Sequence, residues 1–101
     1  MTTTKIDNKE LDYLKTTSKE LFSSYKDKID RSEDLDKLKA DYVKMYRLAI
    51  RGLRNEKETQ SYRLQMAAKS AAYKKAIEYI EAIEKIEIDY DELSKSLYES
   101  L

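Results

Sequence analysis

Four cations at helical spacing are the part of this sequence best suited to chemistry. Lys44, Arg47, Arg51 and Arg54 follow one another at intervals of three, four and three residues. At ~100° per residue they line one side of a helix, nearly opposite its apolar positions. Guanidinium and ammonium groups arrayed in this way bind carboxylates or phosphates. Lys57 and Arg63 carry the positive charge further along the chain. Residues 44–75 hold nine basic side chains against two acidic ones, a local charge of +7. Residues 77–101 hold two lysines against eight acids, a local charge of −6. The whole chain, with 20 basic and 20 acidic residues, is neutral. Like charges three or four apart on a helix cost ~0.2–0.5 kcal/mol per pair. No carboxylate stands between these four. A local rule broken without compensation is where function is expected.

Three readings of the stripe stay open at this level. It is a solvated surface balanced by acids of another helix, or an interface with an acidic protein surface, or a phosphate-binding surface for RNA or DNA. Arginine and tyrosine are common at the energetic centres of protein interfaces. Tyr46 and Tyr62, interleaved with the cations, would also allow stacking on nucleic acid. Against nucleic acid stand the acidic C-terminal third, an isoelectric point near 6.3 and the lack of a recognised nucleic-acid motif.

Catalysis is not expected. The chain has no histidine and no cysteine. It therefore lacks the usual general base near neutral pH, a thiolate nucleophile, and imidazole or thiolate metal ligands. Serine has no histidine to activate it, and Ser94-Lys95-Ser96 is a weak candidate for a serine–lysine pair. One glycine cannot build a phosphate-binding loop. Glu78, Glu81 and Glu84 recur at helical spacing, as a solvated face does, and no calcium-loop spacing accompanies them. No cofactor and no metal is expected.

The elements that position the stripe are helices. There is no proline, and the single glycine is Gly52. Strand-rich domains need turn residues every ~8–12 positions, which this chain lacks. Residues 1–6 read as a frayed lead-in. A first helix is predicted from Asn8 to Ile29, with a seam of Leu11, Leu14, Leu21, Phe22, Tyr25 and Ile29 and Ser18 in its gap. Asp30 with Glu33 reads as the capping box of a second helix, Glu33 to Arg54. That helix turns Leu35, Leu38, Tyr42, Met45, Tyr46, Ala49 and Leu53 inward. Gly52 and Asn55 suggest its end, although one long helix through Gly52 would cost only ~1 kcal/mol. A third helix, Glu56 to Glu87, presents Tyr62, Met66, Tyr73, Ile77, Ile80 and Ile83. The run Ala67 to Ala72 lets a neighbour come close. Asp89 with Glu92 reads as the start of a short last helix, with Tyr90, Leu93, Leu97 and Leu101 on its apolar side.

The expected product is all-α: a small antiparallel helical bundle of three main helices, with a short C-terminal helix folding back, as a single domain over residues 1–101. Leu, Ile, Val and Phe together supply 21 of 101 residues, so the core is modest. The apolar stripes are narrow, and a homodimer completing a fuller bundle is as natural as a monomer. Of the nine tyrosines, Tyr25, Tyr42, Tyr46, Tyr62 and Tyr73 are expected inside. Tyr13, Tyr79 and Tyr98 are expected to mark a second contact surface. No apolar run approaches the ~18 residues of a membrane span, and no secretory or lipidation signal stands in the chain. A cytoplasmic location is the default. The expected function is a non-catalytic interaction protein: an adaptor, inhibitor or regulator that binds a larger protein through Lys44, Arg47, Arg51, Arg54, Lys57 and Arg63. Nucleic-acid binding and structural self-assembly are the alternatives. In composition, compact and rich in Lys, Tyr and Ser, the chain resembles accessory proteins of phages and other mobile elements.

Overall fold

The computed structural model describes residues 6–101, apart from the side chains of residues 87–89. The lead-in expected over residues 1–6 and the capping role expected of Asp89 therefore lie mostly outside the described residues. Three helices follow in order: α1 (Asn8–Arg31), α2 (Leu35–Arg54) and α3 (Gln60–Ser100). Among the described residues there is no strand. The all-α bundle expected from the periodicity is what the chain forms.

Each helix starts at a side chain that satisfies an otherwise unpaired backbone N–H. Asp7 accepts from the Glu10 N–H at 2.7 Å, Asp34 from Lys37 at 3.0 Å, and Thr59 from Tyr62 at 3.2 Å. The expected cap of α2, Asp30, stays inside α1 and accepts from the Tyr79 hydroxyl instead. Thr59 opens α3, so that helix starts at Gln60, four residues beyond the expected Glu56.

Contacts fix the directions. Ser18 donates to the Ala68 carbonyl, Tyr25 stacks on Tyr73, and Asp30 meets Tyr79, so α1 and α3 run parallel. Lys39 meets Glu84 and Arg63 meets Leu53, so α2 runs antiparallel to α3. The alanine run does bring a neighbour close. Ala68 and Ala72 are buried, and α1 approaches so nearly that a serine side chain bonds a backbone oxygen at 3.1 Å.

The core is small. Ile29, Tyr42, Tyr73, Ala76 and Ile80 form its buried centre, with Phe22, Tyr25, Leu35, Leu38, Tyr46, Ile77, Tyr79 and Ile83 packed around it. One tyrosine from each helix meets at its middle. Tyr25 stacks on Tyr73 at 4.8 Å between ring centroids, and Tyr42 lies 5.3 Å from Tyr25 and 5.9 Å from Tyr73. Among the five tyrosines expected inside, Tyr42 and Tyr73 are buried and Tyr25 and Tyr46 half-buried, while Tyr62 is exposed at the open end of the bundle. Tyr79, expected at the surface, is half-buried edge-on to Phe22.

α2 ends at Arg54, as expected, with Asn55 as its C-cap. Gly52 lies in the last turn without a positive φ, and its part there is close approach. A Cβ there would fall 2.8 Å from Met66 Cγ and 3.1 Å from the Tyr62 hydroxyl oxygen. Gly52→Val is expected to lower stability by about 1–3 kcal/mol, the usual effect of overpacking, with helix content unchanged. Urea unfolding followed by circular dichroism reads this out. A variant as stable as the parent would show that Met66 yields freely.

The last two expected helices are joined. α3 continues for 41 residues through the position of the anticipated break. A capping-box pattern marks a helix start only where the chain reverses. Here neither glycine nor proline interrupts the backbone ladder, so the helix runs on. At 1.5 Å per residue α3 is ~61 Å long, and it sets the long dimension of a 66 × 24 × 24 Å molecule. The C-terminal segment therefore projects past the bundle and does not fold back. Ile86 and all residues from Tyr90 onward are exposed.

Candidate interaction surface

The side of α2 that faces α3 is apolar, with Tyr42 and Ala49 buried. The opposite side carries the cations. Lys44, Arg47, Arg51 and Arg54 are all exposed. At 1.5 Å per residue, Lys44 to Arg54 spans ~15 Å. No carboxylate of the chain lies within 4 Å of any of the four charged groups among the described residues; the ion pairs there are Arg31–Asp27, Lys39–Glu81 and Lys39–Glu84. Part of the like-charge cost is offset locally. Arg51 and Arg54 lie in the last turn of α2, where the helix dipole favours cations by ~0.3–1 kcal/mol each. Lys44 and Arg47 sit too far from that end to gain the same benefit.

Lys57 is exposed in the connection between α2 and α3. Arg63 turns the other way. It is half-buried, and its Nε donates to the Leu53 carbonyl at 2.8 Å, which satisfies one of the free carbonyls at the end of α2. The structure thus brings Lys44, Arg47, Arg51 and Arg54 onto one face, with Lys57 near its end. Arg63 ties α3 to that end.

Leu48 belongs to this face and Met45 to its margin, and the sequence pattern assigns neither of them there. Leu48 stands four residues after Lys44 and three before Arg51, and it is 47% exposed. Met45, expected inside, is 42% exposed beside it. The signal for Leu48 was available: it falls outside the inner stripe of its helix, among the cations. Met45 lies on the margin between the faces, where periodicity does not decide.

The other end of the bundle is acidic, and part of its charge is met within the chain. Half-buried Lys39 reaches Glu84 at 3.2 Å and Glu81 at 4.0 Å. Of the three glutamates singled out by helical spacing, Glu81 and Glu84 thus face a lysine of α2, while Glu78 is exposed. Among the described residues no three potential ligands gather to hold a metal ion. An open groove of about 440 Å³ lies between the first turns of α1 and α3, lined in part by Tyr13, Leu14 and Leu64. The chain matches no known protein family, no curated protein and no solved structure.

Proposed function

We propose that the protein is a non-catalytic interaction protein, an adaptor, inhibitor or regulator, whose basic α2 face docks an acidic surface of another protein. One observation carries this reading: four cations project from one face of α2 without a carboxylate partner among the described residues, with Leu48 exposed in their midst. Cations alone suit a phosphate backbone as well as a protein. A leucine flanked by Lys44 and Arg51 suits a protein better, because an apolar anchor beside charged groups is how protein interfaces concentrate their energy. The planar fork of arginine binds carboxylates bidentately, which adds register to attraction. Among the described residues no helix is long and apolar enough to cross a membrane. A cytoplasmic place of work accords with this reading.

Reversing two charges tests it. Arg47→Glu combined with Arg51→Glu is expected to abolish capture of the partner in a nuclease-treated pull-down from the source cell. Helicity should not change, since both side chains lie in solvent. Capture that survives the reversal counts against the reading. Capture lost on nuclease treatment alone, with retention on a polyanion column that falls steeply with salt, moves the assignment to nucleic acid.

A further inference from the structure

The face of α3 that meets α1 does not stop where α1 stops. Tyr79 touches α1 through Asp30 and Phe22. Ile86 and Leu93 follow Tyr79 at intervals of seven, and such positions drift only ~20° per step around a straight helix. α1 ends at Arg31, so among the described residues nothing covers this continuation. Ile86, Tyr90, Leu93, Leu97 and Leu101 are exposed along it. Their spacing of four, three, four and four is that of a helix that pairs with another. A projecting helix of ~15 residues is marginal by itself in water, and a polar surface would serve it better than a row of leucines.

Charge indicates what covers the row. Residues 86–101 carry five acids and one lysine. Asp30, Glu33, Asp34 and Asp36 crowd the nearby α1–α2 turn. Two copies laid extension against extension would set acid against acid. The complementary surface is the α2 face at the far end of the molecule, where Leu48 is exposed between Lys44 and Arg51, with Met45 exposed at the margin. The lengths also agree: ~15 Å for Lys44 to Arg54 against ~17 Å for Tyr90 to Leu101.

We propose that the acidic, apolar extension of α3 docks onto the basic α2 face of a second copy, head to tail. This rests on the reading of that face as a protein-binding surface and names an occupant for it. The contact is heterologous. Each added copy leaves one extension and one basic face free, so assembly proceeds as a linear series unless its geometry closes a ring.

Complementing variants test it by light scattering at low salt. The parent chain is expected to exceed its 11.9 kDa monomer mass as concentration rises toward about 1 mM. A face variant, Arg47→Glu with Arg51→Glu, and an extension variant, Leu93→Glu with Leu97→Glu, should each stay monomeric alone. Mixed, they should form a one-to-one complex, because one supplies the intact extension and the other the intact face. All four positions are exposed, and circular dichroism with urea unfolding verifies that each variant folds. A parent that stays monomeric overturns the proposal. So does a face variant that still self-associates, which would mean that extensions pair with each other. Failure here leaves the pull-down result standing on its own, so the two readings fail separately.

Discussion

Ile80→Asp is expected to unfold the chain at 25 °C. Ile80 is 0% exposed and belongs to the same cluster as Ile29, Tyr42, Tyr73 and Ala76. Truncating a buried isoleucine to alanine costs ~2–5 kcal/mol. A carboxylate in the same place must also be desolvated or protonated, which adds several kcal/mol. Domains of this size have only ~5–15 kcal/mol in total. Four of the eight buried hydrophobic residues among those described are alanines, so few large side chains remain to hold the three helices together. Loss of the cooperative urea transition, with collapse of the helical signal, is the expected result. The same chemistry on the extension makes the control. Leu93 is 55% exposed, and Leu93→Glu should leave the transition where it was. A folded Ile80→Asp variant would mean that the helices stay together without this core.

Alkaline pH is expected to unfold the protein through its tyrosines. Burial, followed by the adjoining Tyr73 phenol, pushes Tyr25 well above the ordinary phenol range. Burial, with Tyr73 and Asp41 close by, also raises Tyr42. The hydrogen bond to Asp30 raises Tyr79. The folded state therefore keeps these phenols neutral at pH values where the unfolded chain ionises them. The unfolded state then binds fewer protons, and stability falls as pH rises. Stability is complete below an unfolded pKa of ~10 and is lost as pH climbs from there toward the raised folded values. For Tyr25 and Tyr42 the ceiling is ~1.4 kcal/mol per pH unit each, and solvent screening leaves partly exposed rings below it. Tyr42→Phe separates this effect from lysine titration. It removes one ionising group and also the Tyr42 hydroxyl, which is buried without a hydrogen-bond partner among the described residues. The variant should be about 1 kcal/mol more stable at neutral pH, with an alkaline midpoint shifted upward. Circular dichroism and tyrosinate absorbance, followed together, check both. An unmoved midpoint would assign the alkaline transition to lysine alone.

The sequence showed much of this architecture because its strongest signals are local. The seam of α1 and the inner face of α2 repeat at the helical period, and both helices stand within a few residues of their expected limits. The outward placement of Lys44, Arg47, Arg51 and Arg54 follows from the same arithmetic. Capping boxes were less informative. Asp30 with Glu33, and Asp89 with Glu92, have the right spacing, yet neither begins a helix. That spacing is compatible with a helix interior as well as with its start, and the chain path decides between them. Tyr79 turns inward, against expectation, because an aromatic ring at a stripe margin is placed by whichever neighbour reaches it. Tyr62 does face Gly52 of α2, as its inner-face position predicts, but is exposed where the bundle ends. Arg63 resembled its fellow cations in sequence, but the unpaired carbonyl of Leu53 lay within its reach.

By itself the sequence determined the helical class, the sign of the charge toward each end of the molecule, and the turning of the cations away from the core. These depend on residue type and on a period of 3.6, both written along the chain. Only the tertiary structure decided which side chains are covered. Cover depends on where neighbouring helices end, and α1 and α2, at 24 and 20 residues, are too short to sheathe the 41 residues of α3. That mismatch of lengths leaves Tyr90, Leu93 and Leu97 in water, although their pattern is that of a core.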